Sequence, residues 1–517
     1  MARRVAVGGG DTERREQRLA VIDMGSNTFR LVVFRYVPGG AFQLTEEVRE
    51  SVRLSAGQVD GVLAADALDR AGLAAGLYAS FCAASNVDVV DPVATSAVRD
   101  ATNQGAVIKR LSADGQLPVR VLSAHDEARY GYLGAINSTT LRNGTVLDIG
   151  GGSLQLGRVE KRQLTTAGSW PLGAVRMTEQ VLGDGVPDAS RVAQLRKHVL
   201  AQIGSFEGLA AGEPNVAMGG SIRTLAAMAQ RATGYPLGEV HGYRLNREVL
   251  QGLIDQMASL AGRQRARIPG LKADRADITL AGAIVLDTIM ERLELRSVEV
   301  CAQGLRWGVF YEHYLGVDEP LFPDVRTASV RNVAAIYRYD KPHAEHVATL
   351  ALRIFDELGR LGLHPSDDKE REWLWAASIL HDVGVIVDYN DHHKHGAYLV
   401  MNAGLPGFRH RELVIIALLV RGHRKALPSP NGLAEILRDG DEERLLRLAV
   451  CLRLAEQLER GRGQRVQGLS LSDDGEALTL HLDATADVSV ARWAAASEAA
   501  NVERATGRRL EISLQPA

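Results

Sequence analysis

Two aspartates stand at the ends of apolar runs and open glycine-rich turns: Asp23 in VIDMGSNTFRL (residues 21–31) and Asp148 in VLDIGGGSLQL (146–156). Aligned without gaps, Val21, Asp23, Gly25 and Leu31 meet Val146, Asp148, Gly150 and Leu156. Three consecutive glycines bury no side chain and are entropically costly in a strand pair. Gly150, Gly151 and Gly152 therefore imply that something approaches the backbone closely. Free N–H groups in such a turn form a concave nest suited to phosphate oxygens. Gly25 gives the first turn the same property, and Ser26, Asn27 and Ser153 add side-chain donors. Asp23 and Asp148 facing each other across a cleft would suit Mg²⁺, which prefers oxygen ligands and keeps several waters.

Phosphoryl transfer to water needs a group that positions or deprotonates the nucleophile. HDEARYGYLGA supplies Asp126 and Glu127 at a helix start, where carboxylates are favoured in any case by the unpaired N–H groups. Arg99 in ATSAVRDATN is read as a loop cation near the cleft. Arg30 ranks behind it, because half of strand positions face away. Residues 262–275, GRQRARIPGLKADR, carry five arginines and lysines and read as a solvated helix end rather than a substrate groove.

Positioning these groups requires two α/β units. Residues 19–145 read as a hairpin, an amphipathic helix, a strand leading into a loop and helix, and a strand followed by a helix opening near Ala124–Asp126. Residues 146–315 repeat the pattern, with NVAMGGSIRTLAAMAQ as strand, glycine turn and helix. Strands alternating with helices argue for layered α/β architecture. After the proline-rich linker 317–324 the texture becomes all-helical over 325–462, with apolar residues at helical spacing. Nine of the 14 histidines fall within 343–423, so this region has its own chemistry or the relic of one. From 463 to 517 strands return around one helix, as a small α+β cap.

Composition narrows the class. At 517 residues the chain is too long for one core. A net charge of −3 gives no global field favouring nucleic acid, so a polyanion would need a local basic patch. Cys82, Cys301 and Cys451 are far apart, which argues against disulfide scaffolds and thiolate zinc sites. No apolar run reaches the roughly 18–20 residues that span a bilayer. ELVIIALLV (412–420) reads as a buried helix, residues 1–18 as a flexible polar tail, and the protein as cytoplasmic.

The ordered segments VIDMGSNTFRL, ATSAVRDATN, DEARYGYLGA, LDIGGGSLQL, LGAVRMTE, AMGGSIRTLA, RADITLAGAIVL and GLRWG resemble the exopolyphosphatase / guanosine pentaphosphate phosphatase family, within the actin-like ATPase superfamily. The resemblance implies two actin-like (RNase H-like) lobes enclosing a cleft. It implies Mg²⁺-dependent hydrolytic removal of terminal phosphate from inorganic polyphosphate, or of the 5′ γ-phosphate of guanosine pentaphosphate. It assigns Glu127 to the attacking water, Asp148 to Mg²⁺, Gly150–Ser153 to phosphate and Asp23–Asn27 to the opposing phosphate loop. The family usually reads DIGGGSxE. Here the last position is Gln155, which can hydrogen bond but cannot supply a charge.

The helical region resembles the HD phosphohydrolase fold. That likeness makes His343, His381 and Asp382 metal ligands, with Glu456 in CLRLAEQLER where an Asp is usual, and with the histidines of DHHKHGAYL extending the site. Long-form relatives imply a homodimer and a polyphosphate channel, with RGHRK (421–425) as basic lining. Alternatives from other classes are a guanosine pentaphosphate phosphohydrolase, an ATP-dependent kinase of the same superfamily, and a non-catalytic phosphate or nucleotide sensor.

Overall fold

A computed structural model describes residues 15–514 apart from 116, 205, 207–210, 317, 319, 431 and 485. The first sheet runs in the order β3-β2-β1-β4-β5, built from β1 (Gln17–Met24), β2 (Phe29–Tyr36), β3 (Phe42–Glu50), β4 (Val89–Ala94) and β5 (Arg120–Val121). The second sheet contains β6 (Gly144–Ile149), β7 (Leu154–Glu160), β8 (Gln163–Trp170), β9 (Asn215–Met218), β10 (Arg244–Asn246) and β11 (Ser297–Val300), in the order β10-β11-β9-β6-β7-β8. The repeat seen in the sequence extends to topology. β1 is antiparallel to β2 and parallel to β4, and β6 is antiparallel to β7 and parallel to β9. The expected tail 1–18 is shorter than read, because Gln17 and Arg18 already pair with Tyr36 and Arg35; residues 1–14 lie outside the described residues.

Two helices join the sheets. Ala124–Ile136 is capped by Ser123, whose Oγ accepts from Asp126 N, and it packs on the second sheet. Leu305–Leu315 lies against it and against β1 and β2. The helices come this close because glycine stands at the crossing. A Cβ on Gly134 would sit 2.4 Å from the Gly304 carbonyl oxygen, and one on Gly308 would sit 1.9 Å from that of Tyr130. Val21, Phe34, Leu133, Val146, Met218 and Phe310 fill one shared core between the lobes. Each such side chain contributes roughly 1.5–3 kcal/mol on full burial, so this shared core fastens together two lobes that also have cores of their own.

Six main helices span Val325–Ile336, Lys341–Arg360, Asp368–Leu380, His392–Ala403, His410–Gly422 and Asp441–Leu458. Asp340 caps the second of these and Asp367 the third, as their types favour. The last sheet, β12 (Val466–Asp473), β13 (Ala477–Ala484) and β14 (Arg509–Leu514), buries Leu469, Leu471, Leu480 and Leu482 in the same core as the helices. The single helix expected there is two, Ser489–Ala496 and Ala499–Thr506. They break where Glu498 turns in to meet Arg453 at 2.7 and 2.9 Å. Among the described residues, no helix is long and apolar enough to cross a membrane.

Candidate active site

The two glycine turns meet across a cleft that encloses about 970 Å³ counted out to its mouth. Asp23, Gly25, Ser26, Asn27, Glu127, Asp148, Gly150, Gly151, Gly152, Ser153 and Gln155 all line it. The turns nearly touch. A Cβ on Gly152 would lie 2.6 Å from Ser26 Oγ and 2.7 Å from Ser96 Oγ. Asn27 Nδ2 is buried without a hydrogen-bond partner, a donor left for a ligand.

A third glycine turn, in AMGGSIRTLA, which the sequence pattern marks only as strand, turn and helix, also lines the cleft. It follows β9, where Gly219 has φ +108 and a Cβ would sit 2.4 Å from the Ile149 carbonyl oxygen and 2.8 Å from Asp148 Oδ1, two separate demands for glycine. Gly131 and Gly304 complete the walls around the Asp148 carboxylate.

Glu127 is held from two sides. Arg99 Nη1 donates to its Oε2 at 2.6 Å, and Ser153 Oγ donates to its Oε1 at 3.3 Å. Ser153 is in turn fixed by Gln155, whose Nε2 donates to Ser153 Oγ at 2.7 Å and to Ser169 Oγ at 3.2 Å. Gln155 is only 5% exposed. Its amide therefore leaves the Ser153 proton free to point at Glu127. Asp126, the other carboxylate of the pair, is taken up by Ser123 at 2.7 Å.

The cations differ from expectation. Arg99 is not on the cleft wall; its guanidinium is committed to Glu127, Asp100 and the Leu122 carbonyl. Arg30, ranked second, lines the cleft. It is the cross-strand partner of Asp23 in the β1–β2 ladder, so the two share a face. That signal was available, since Arg30 occupies the position of Gln155 in the repeat. Residues 262–275 are not simply a solvated helix end. Arg275 reaches the cleft, while Arg265 is buried and donates to the Met257 and Leu260 carbonyls. Arg223 and Arg306 also line the cleft and were not singled out.

Burial dominates the electrostatics. It raises Asp23 above its ordinary value against the pull of Arg306, Arg30 and Arg223. It raises Glu127 against the pull of Arg99. Asp148 is pushed up to about 7 by burial and by the charge of Glu127. Arg30 is pulled down to about 9 by burial, Arg306 and Arg223, and Arg223 to about 10 by burial, Arg306 and Arg275. Crowded arginines and crowded carboxylates, each destabilised by its own kind, would both be relieved by a polyanion carrying a cation. Asp23 and Asp148 offer only oxygen, which fits a hard divalent ion. Arg49 with Asp274, Arg53 with Asp277 at 3.2 Å, and Arg176 with Asp100 at 3.2 Å tie the lobes together.

In the helical region His343, His381, Asp382 and Glu456 come together, with Glu456 Oε2 3.1 Å from His343 Nε2 and 3.3 Å from His381 Nε2. The RGHRK stretch, read as basic channel lining, divides among different surroundings. His423 is buried beside the cluster, Arg424 stacks over Tyr389, and Lys425 pairs with Asp391.

Two duplicated α/β lobes, closing on glycine turns, carboxylates and arginines, define an actin-like, phosphate-handling architecture. The family model described as Ppx/GppA phosphatase family matches residues 32–316, and that for Ppx/GppA phosphatase, domain III, matches 325–491. The first alone spans more than half of the chain, and this chain belongs to the Ppx/GppA phosphatase family. Among solved structures, the Aquifex aeolicus member of the Ppx/GppA family is 25% identical with a TM-score of 0.52, covering 59% of this chain and 100% of its own. A structure of the Aquifex aeolicus PPX-GPPA enzyme is 26% identical with a TM-score of 0.50, covering 57% and 99%. An exopolyphosphatase from Cytophaga hutchinsonii, 22% identical, shares the fold with a TM-score of 0.54 over 59% and 100%.

Proposed function

We propose that this phosphatase is an exopolyphosphatase that releases terminal orthophosphate from inorganic polyphosphate by hydrolysis in the interlobe cleft. The observation that carries the reading is the placement of Glu127 on the cleft wall, clamped by Arg99 and Ser153 beside the Gly150–Ser153 turn. Burial raises the basicity of its carboxylate, which suits it to take a proton from water. The turns at Gly25–Asn27 and Gly150–Ser153 would cradle the terminal phosphate through backbone N–H groups. Arg30, Arg223, Arg275 and Arg306 would take the following phosphates, whose charge offsets the repulsion among them. Asp23 and Asp148 would hold Mg²⁺, which when bound neutralises phosphate charge. Arg99 acts through Glu127 and is a positioning residue.

The helical domain is HD-like in this reading, with His343, His381, Asp382 and Glu456 holding one further metal ion. The test is phosphate release from long-chain polyphosphate, guanosine pentaphosphate and ATP, with and without Mg²⁺. Wild type should turn over polyphosphate in a Mg²⁺-dependent manner, and Glu127→Gln should lose about 10²–10⁴ of that rate. Unchanged turnover by Glu127→Gln would remove the mechanism. Turnover of guanosine pentaphosphate alone would replace the substrate.

A further inference from the structure

A chain of hydrogen bonds runs from the helical region to the cleft, and the proposed reaction leaves it without a role. Tyr235 lies just beyond the Gly220–Ala232 helix, which carries Arg223, and its hydroxyl donates to His410 Nδ1 at 2.9 Å. His410 opens the His410–Gly422 helix, and its Nε2 donates to the His241 carbonyl at 2.8 Å. His241 Nδ1 accepts from Ala302 N–H at 3.2 Å, and its Nε2 donates to the Ser138 carbonyl at 2.9 Å. The Ala302 carbonyl in turn accepts from Arg223 Nη1 at 3.2 Å. Among the described residues, that is the one hydrogen bond of the Arg223 guanidinium, which forms no ion pair. Resting on the proposed polyphosphate site, we infer that His241 is a positioning residue for it: His241 fixes the Ala302 peptide and through it the direction of Arg223, while His410 of the helical region holds His241 in place.

The donors and acceptors permit one proton arrangement. A backbone N–H only donates, so His241 Nδ1 bears a lone pair and Nε2 carries the proton that goes to Ser138. A carbonyl only accepts, so His410 Nε2 carries its proton and Nδ1 accepts from Tyr235. Both rings are neutral with both nitrogens in use, and desolvation holds both below the ordinary histidine value.

The surrounding backbone gives the chain a firm frame. Cys301 N–H donates to the Ala217 carbonyl at 2.8 Å, which fixes Ala302 from the β11 side, and Gly407 N–H shares the Ser138 carbonyl at 2.9 Å. Gly242 has φ +79, and a Cβ there would lie 3.4 Å from the Phe408 carbonyl oxygen, so the His241 loop sits directly on the helical region. Ala302, Gly304 and Arg306 line the cleft, so a turn of the Ala302 peptide is felt on its wall. Arg223 would grip phosphates behind the one released, so its misplacement weakens binding more than it slows the chemical step.

The experiment separates the two ring nitrogens in the full-length protein. His241→Gln puts an amide near Nε2 and keeps a donor for Ser138, but it gives Ala302 no acceptor. His241→Asn puts a carbonyl oxygen near Nδ1 and keeps the Ala302 bond. Calorimetry measures binding of tripolyphosphate in a Glu127→Gln background, where turnover does not intrude. His241→Gln should weaken binding about threefold to tenfold, and His241→Asn should stay closer to the background. Added to Arg223→Ala, His241→Gln should weaken binding no further, because both act on one contact. With Glu127 intact, His241→Gln should raise KM for polyphosphate and leave kcat nearly unchanged. If neither histidine variant folds, Tyr235→Phe, which deletes one hydroxyl, carries the same comparison with Arg223→Ala. No weakening by His241→Gln, equal effects of the two histidine variants, or an effect that multiplies with that of Arg223→Ala overturns the inference. A background protein that does not bind tripolyphosphate overturns it together with the proposed function. Binding that follows the expected pattern, in a protein whose wild type releases no phosphate from polyphosphate, removes the proposed reaction and leaves the positioning role standing.

Discussion

The interlobe cleft and the histidine cluster both gather buried carboxylates with nitrogen bases, yet they do so with different materials. The cleft uses carboxylate oxygen, backbone N–H and guanidinium, and it opens to solvent between two sheets. The cluster sets imidazole nitrogens beside the Asp382 and Glu456 carboxylates and sits inside a helical core, with His381 fully buried. Hard, charged donors at a mouth suit a hydrated cation and a polyanion that enter and leave together. Imidazole nitrogens paired with carboxylates in a dry interior would suit ions that stay.

The sharpest way to break this contrast is to deform one region and watch the other. Gly219→Ala places a Cβ against the Ile149 carbonyl oxygen and Asp148 Oδ1 at φ +108. It should cost about 3 kcal/mol of stability and at least 10² in phosphate release, with the metal content of the helical domain unchanged. Melting curves, assays and metal counts on one preparation decide it.

The reverse experiment uses Asp441, which accepts from Arg411 at 2.5 and 2.7 Å and so ties the start of the His410–Gly422 helix to the start of the Asp441–Leu458 helix. Burial would raise its carboxyl, but Arg411, the Arg438 N–H and Arg444 bring it below its ordinary 3.8. A carboxyl lowered on folding contributes stability that is complete above its unfolded value and is lost as pH falls through the folded one. Asp441→Asn should therefore cost about 1–3 kcal/mol at pH 7 and progressively less below pH about 4. Thermal melts across that range measure it.

Within the cleft, Arg223→Ala removes one crowded cation. KM for polyphosphate should rise about tenfold, or about 1.4 kcal/mol, with a shallower salt dependence and kcat nearly unchanged. A smaller effect is expected from Gln155→Glu. A carboxylate there would draw the Ser153 proton away from Glu127, leaving Arg99 as its remaining clamp. Phosphate release should fall about threefold to tenfold, consistent with the loss of one hydrogen bond of about 1 kcal/mol. A rise in activity would mean that the residue serves the cleft directly rather than through Ser153.

Much of the cleft was readable because its requirements are local. A strand ending in Asp followed by glycine is written in consecutive residues, and so is the Ser123 cap that starts the helix carrying Glu127. Even Arg30 could have been placed, since a tight hairpin puts residue 30 opposite residue 23 on the same face. The arginines were harder. Arg223 follows a glycine turn like the other two, but its relevance depends on β9 lying beside β6. Arg275 looked like part of a solvated basic stretch, and its neighbour Arg265 is buried for structural reasons.

By itself, the sequence determined the repeat, the alternation of strands and helices, the turn chemistry and the types of donor available. These follow from backbone sterics and capping, which act over a few residues. Only the tertiary structure decided that Arg99 braces Glu127 instead of facing the cleft, that Arg275 and Arg306 converge on it, and that His423 lies 3.1 Å from His392. A side chain's destination is set by the packing of elements far apart in the chain, whose shared cores fix which faces meet.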